Sequence, residues 1–236
     1  MKQVTKRNVL VVACLSWGLC HVLGASAGDW EFGAEVYLWG ASIGGKSSSS
    51  SNIDIDFDDL FDNLELAFMG TAAARKDSWM LVTDVIYMDV KASDTISSVD
   101  TSVELTAWIV TPMVGYALVD SDRGTLWALA GARYLYLDGD LKLGPLEGDD
   151  SGDVWDGVIG LRGSLNLSDK VYLSGHLDIG TGDTKRSWQG LAGIGYRFDR
   201  FDLVAGYRYL DFDFDNNDVF DDLNLGGPMA GMKFYF

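Results

Sequence analysis

Two cysteines and three prolines, the latter at 112, 145 and 228, are all that 236 residues contain. Both cysteines, Cys14 and Cys20, fall within the first 27 residues. The remaining chain therefore has no disulfide to lean on, even in an oxidising compartment. Basic residues are also scarce, 18 against 35 acidic, for a net charge of −17. That balance excludes nucleic acid as a partner, because phosphate binding requires clustered Lys and Arg. Beyond residue 27 the only histidine is His176. No segment beyond residue 27 approaches 18 consecutive apolar residues, so no membrane helix is expected there. A chain of this kind can cross a lipid core only as a closed barrel, since lipid offers no partner to an open sheet edge.

The N-terminus has the pattern of an export signal. Lys2, Lys6 and Arg7 precede a mostly apolar stretch from Val9 to Leu23, and Ala25-Ser26-Ala27 supplies small residues at the cleavage position. Val11-Val12-Ala13-Cys14 has the form of a lipobox, but only Val9 and Leu10 would remain as its apolar lead. The expected organisation is a cleaved signal over residues 1–27 and a single domain over 28–236. Loss of three basic and no acidic residues leaves that domain at −20.

From residue 28 onward, aromatics and glycines are frequent and polarity alternates with a period of two, the pattern of strands. Ten segments stand out: Trp30–Ala41, Leu64–Arg75, Trp79–Val90, Val103–Tyr116, Leu126–Leu137, Val154–Leu167, Val171–Gly180, Trp188–Phe198, Phe201–Phe212 and Pro228–Phe236. Their connections alternate in length. Residues 42–63, 91–102, 138–153 and 213–227 are expected as long loops, and 181–187 is intermediate. Residues 76–78, 168–170 and 199–200 are tight, and 117–125 is moderate. Long outer loops alternating with short inner turns mark a transmembrane barrel. The expected fold is all-β, an antiparallel up-and-down transmembrane β-barrel of ten strands. Eight is the alternative, with the Pro112 segment the least secure. A soluble β-sandwich is the competing fold, but it would not expose apolar stripes ended by aromatics such as Trp188, Phe198, Phe201 and Tyr209.

Parity separates two faces. Trp155, Ile159, Leu161 and Leu165 share one side of their segment; Asp156, Val158, Arg162 and Ser164 share the other. Extended along the chain, parity points Glu35, Asp84, Arg133, Asp156, Arg162, His176, Asp178, Arg197, Arg208 and Lys233 into the lumen. Opposite charges crowded there should pair, because an unpaired buried charge is costly. Arg162, Arg197 and Arg208 are expected to meet Asp156, Asp178 or other luminal acids. Such a cluster forms either an ion-paired plug or a narrow polar conduit; the plug is the favoured reading.

The chain ends Met232-Lys233-Phe234-Tyr235-Phe236. A terminal aromatic preceded by alternating apolar residues resembles the C-terminal insertion signal of outer-membrane barrels, with Phe234 and Phe236 as its lipid-facing residues. The whole chain resembles the small outer-membrane barrel proteins of Gram-negative bacteria. The stretch from Asp56 to Gly70 is similar to a group of uncharacterised proteobacterial barrels. The resemblance implies an outer-membrane location, contact with lipid and lipopolysaccharide, recognition by the barrel insertion machinery and a monomeric state. It carries no known activity.

Three chemical readings arise. Ser174, His176 and Asp178 share one face and invite a hydrolase reading. Residues two apart on a strand are separated by about 6.5–7 Å, whereas a nucleophile must lie roughly 3 Å from its base. A polar lumen residue is the plainer account, and no catalytic or cofactor role is expected. Second, residues 54–65 and 211–222 each hold six acidic side chains, and segments 59–66 and 218–225 match at five of eight positions. Each could form a helical turn capped by Asp59 or Asp218. Third, Asp211-x-Asp213-x-Asp215 has the opening of a calcium loop but lacks its glycine and final glutamate. Loosely bound Ca²⁺ or Mg²⁺ at these loops is the only metal expectation. The functional expectation is a non-enzymatic structural or surface-interaction barrel. The alternatives are a narrow, porin-like channel for small solutes and a lipid-active or proteolytic enzyme.

Overall fold

In the computed structural model the described residues are 30–47, 52–55, 64–96, 99–143, 146–214 and 220–236. The expected export signal and residues 56–63 lie outside them.

The described chain is strand almost throughout: β1 Glu31–Trp39, β2 Ser42–Ser47, β3 Asn52–Ile55, β4 Leu64–Lys76, β5 Trp79–Ile96, β6 Val99–Ser121, β7 Gly124–Leu143, β8 Leu146–Asn166, β9 Val171–Gly182, β10 Thr184–Arg197, β11 Phe201–Phe214 and β12 Phe220–Tyr235. Ten of these, β1 and β4 to β12, pair antiparallel in sequence order. β1 then pairs with β12, from Gly33 opposite Tyr235 to Trp39 opposite Met229, and the sheet closes. Closure removes the sheet edges that lipid cannot satisfy.

Each expected segment is a strand of this barrel. Pro112, which made the fourth segment insecure, faces outward in the uninterrupted β6. Pairing with β7 skips Thr111 and Pro112 but resumes in the same register, from Val110 opposite Tyr134 to Met113 opposite Gly131. Proline lacks the amide that a ladder rung needs, and here it costs only a local gap.

The connections differ from expectation. Residues 91–96 and 99–102 belong to β5 and β6, 138–143 and 146–153 to β7 and β8, and 220–227 to β12. The long outer loops are in large part long β-hairpins. Once a strand passes beyond lipid both of its faces meet water, so the apolar alternation ends while the hydrogen-bonded ladder continues. The helical turn expected from Asp218 is likewise overturned. Residues 220–225 extend along β11 and β2, from Leu225 opposite Leu210 and Ile43 to Phe220 opposite Ser47. Within the first outer connection, β2 continues β1 along β12 and folds back on β3. The moderate inner connection shrinks to a two-residue turn, with Ser121 opposite Gly124. In the tight turn at 77–78, Asp77 takes a left-handed backbone (φ 50°), which aspartate tolerates better than most residues.

Candidate functional site

The inner and outer surfaces of the barrel carry different chemistry. Facing outward, three cross-strand aromatic pairs stand toward the long-hairpin end: Tyr87 with Trp108, Tyr134 with Trp155, and Trp188 with Tyr209, at 4.5–5.1 Å between ring centres. Toward the short-turn end stand Trp79 with Tyr116, and Phe198 between Tyr196 and Phe201. On each of β5, β6, β10 and β11 an upper aromatic lies eight residues from a lower one. That spacing is roughly 26 Å along the strand, and a tilt of about 40° leaves an apolar band near 20 Å tall, close to the band of outer-membrane barrels. Between the two belts the outward residues are apolar or small, such as Leu81, Val85, Val114, Ile159, Ile194 and Leu203. A closed sheet wearing an uncharged band between two aromatic belts is built for lipid. The chain is a bacterial outer-membrane β-barrel.

The barrel matches no family model and no curated relative. Among solved structures it is similar to Ail, the attachment invasion locus protein of Yersinia pestis, at 10% identity over 88% of this chain and 99% of that one, with a TM-score of 0.41. The transport unit of the autotransporter AIDA-I from Escherichia coli gives 10% identity, 90% and 91% coverage and 0.45. The translocator domain of the autotransporter NalP from Neisseria meningitidis gives 14%, 91% of each chain and 0.39.

Inside the barrel, the ten residues that parity directed inward all face the lumen, and the structure shows which of them meet. Arg208 on β11 crosses to Asp84 on β5, its Nη2 donating to Oδ2 at 2.7 Å. Its Nη1 donates to the Tyr37 hydroxyl at 2.6 Å and its Nε to Gln189 Oε1 at 3.0 Å. Tyr37 and Thr71 both donate to Asp84 Oδ1, at 2.8 and 2.9 Å. The guanidinium also lies over the Trp39 ring at 5.0 Å. Gln189 links this cluster to Asp178, donating at 3.3 Å. The same carboxylate accepts from Arg133 at 2.6 Å and contacts His176 Nε2 at 2.6 Å. One connected network thus ties β1, β4, β5, β7, β9, β10 and β11 together across the lumen.

Toward the long-hairpin end the lumen is apolar. Ile86, Ile109, Leu135, Leu210 and Phe212 are at most 2% exposed, and they pack with Trp39, Ile43, Phe214, Leu223 and Leu225. Charge alone does not fill this barrel: a polar network and an apolar core share the work.

Several expected partners are wrong. Asp156 meets no arginine among the described residues; it accepts from the Thr184 hydroxyl at 2.6 Å and the Thr184 amide at 3.1 Å. The partner of Asp178 is Arg133. Arg197 donates to Asn166 Oδ1 at 2.7 Å and lies 4.5 Å over the Tyr172 ring. Tyr172 in turn rests on Gly195, where an added Cβ would come within 2.1 Å of its ring. Arg162 makes no ion pair among the described residues. Parity reveals a side chain's face but not its partner, because the partner depends on which strands stand opposite across the lumen.

The Ser174-His176-Asp178 set does not assemble. His176 reaches Asp178, so the spacing does not keep those two apart, but no described hydrogen bond joins Ser174 to His176. Asp178 is shared among Arg133, Gln189 and His176. Of the segment read as a calcium loop, residues 211–214 are strand, with Asp211 and Asp213 outward and Phe212 and Phe214 in the core. Asp215 lies outside the described residues. Sequence reasoning singled out the charged network members but not Tyr37, Thr71 and Gln189. Their parity was readable; without charge they drew no notice.

Proposed function

We propose that this protein is a non-enzymatic, non-conducting outer-membrane barrel whose role is structural and surface-interacting. The observation that supports this most is the crossing of the lumen by Arg208 to Asp84, roofed by an apolar core. A water-filled conduit needs a continuous polar path, and buried Ile86, Leu210 and Phe212 interrupt it. The hairpins favour a surface role. β5 runs nine residues past Tyr87, or roughly 20–25 Å beyond the outer belt once strand tilt is allowed for. With residues 1–27 serving for export, the acidic outer segments would contact lipopolysaccharide through shared Ca²⁺ or Mg²⁺. The chain would act as a monomer, inserted by the barrel assembly machinery through Phe234 and Phe236. Planar-bilayer recording of the refolded barrel tests the reading: the expected result is no steady conductance. Open-channel current at the level of a general porin overturns it.

A further inference from the structure

Between the Arg208–Asp84 crossing and the short-turn end, the lumen is not filled. A cavity of about 380 Å³ extends there, with Glu31, Phe32 and Tyr235 among its lining residues near the strand ends. Ten strands enclose more room than the eight that side chains can fill, and the volume lies within the range of small-molecule sites.

Its walls are unlike. On β5, β6 and β7 the wall carries an apolar patch, formed by Met80, Val82, Met113 and Trp127, beside Asp84, Thr111 and Thr125. On β8, β10 and β12 it carries Arg162, Arg197 and Lys233. The other lining cations are committed: Arg208 to Asp84 at 2.7 Å and Arg75 to Glu31 at 3.2 Å. Arg197 is held by Asn166 and Tyr172. Arg162 and Lys233 have no ion-pair partner among the described residues, and Lys233 lies 5.1 Å over the Tyr235 ring. Asp202, the acid opposite Lys233 on β11, accepts from the hydroxyls of Tyr172 and Tyr235 at 2.9 and 2.8 Å. Glu35, opposite Lys233 on β1, is not within ion-pair distance of it. Arg162 and Lys233 both line this cavity. A cation without an ion-pair partner attracts an anion more strongly where water is partly excluded than in bulk solvent.

We propose that this cavity binds a small carboxylate carrying a short apolar body. The carboxylate sits between Arg162 and Lys233, and the body lies along Met80, Val82, Met113 and Trp127. A guanidinium fork matches a carboxylate in two parallel hydrogen bonds. Entry is from the periplasmic side, because the Arg208 network and the apolar core block the other. The proposal does not depend on what the outer hairpins contact.

The test uses the full barrel refolded into nanodiscs of zwitterionic lipid, titrated calorimetrically with hexanoate, hexylammonium and inorganic phosphate. Hexanoate is expected to bind saturably at one site, hexylammonium not at all, and phosphate about ten-fold more weakly, having no body for the apolar wall. Arg162→Gln and Lys233→Gln should each weaken hexanoate by about ten-fold, the scale of one charge-assisted contact. Arg162→Lys, which keeps the charge but loses the fork, should retain only part of the binding, and Lys185→Gln, outside the cavity, all of it. Folding is read separately. Neither Arg162→Gln nor Lys233→Gln breaks an ion pair among the described residues, so each variant's unliganded thermal midpoint should stay close to that of the wild type. Absence of saturable hexanoate binding, equal binding of hexylammonium, or unchanged affinity in the Arg162→Gln, Lys233→Gln double variant overturns the site. Phosphate binding as tight as hexanoate overturns the apolar body.

Discussion

Arg208 shows what a single side chain does in a barrel slightly too wide for its own filling. It is 2% exposed, and it satisfies itself with a carboxylate, a phenol and an amide from three other strands. Truncating one member of such a buried pair leaves the other charge stranded, at a cost of about 3–5 kcal/mol. Arg208→Ala should therefore lower the stability of the refolded barrel by about 3 kcal/mol, toward the low end because the cavity admits water beside Asp84. Urea unfolding in lipid vesicles measures it. Arg162→Ala, which breaks no ion pair, should fall within about 0.5 kcal/mol of wild type, as for a site free of such features. Equal losses for the two variants would remove the crossing from its structural role. Alternating polarity was enough to place both arginines inside. It could not separate them, because the distinction lies in what stands across the lumen: Asp84, 124 residues away, for one, and no ion-pair partner among the described residues for the other.

At the scale of the strand, the lipid-spanning parts were legible and their extensions were not. Between the belts, one face must be apolar and the periodicity is plain, as in Leu203, Ala205 and Tyr207 against Asp202, Val204 and Arg208. Beyond the belts the ladder persists through backbone bonds that any polar sequence can make, so residues 138–153 look like a loop and form a hairpin. The matching segments 59–66 and 218–225 overlap the starts of two strands, β4 from Leu64 and β12 from Phe220, with residues 59–63 and 218–219 outside the described residues. β12 also closes the barrel. Phe236 and Phe32 exchange backbone hydrogen bonds, 2.9 and 3.4 Å, at the last rung of the seam. Deleting Phe236 removes that rung together with an outward aromatic at the inner belt. The expected result is a lower fraction of heat-modifiable, folded barrel in outer membranes, with Phe236→Ala intermediate because it keeps the rung. Deletion with no change in that fraction would show that the terminal residue serves neither closure nor insertion.

Over the whole molecule, the lumen holds charges of both signs, while acids gather along the outer ends of β11 and β12 in a chain of net charge −17. Along β11 and β12, Asp213 stands directly opposite Asp222, with Asp211 and Asp221 close by. Like charges directly opposite across a sheet are destabilising. Lys185 and Arg186 offset part of this, approaching Asp213 at 3.8 and 3.9 Å, but both are largely exposed and such contacts are weak. A divalent cation would relieve the remainder, since Ca²⁺ accepts six to eight oxygen ligands in loose geometry. If it does, millimolar Ca²⁺ should raise the thermal midpoint of the detergent-refolded barrel above its value in chelator. Relief of about 1 kcal/mol corresponds to roughly 2–4 °C for a domain of this size. A variant with Asp213, Asp215, Asp218, Asp221 and Asp222 changed to Asn should lose the calcium response. It should also be the more stable protein in chelator, because the repulsion has been removed by substitution instead of by an ion. That second sign matters, since a general effect of calcium on detergent or lipid would act on both proteins alike. If wild type and variant shift together, the carboxylates only keep the outer end hydrated, and the contact with lipopolysaccharide through shared cations is excluded with them.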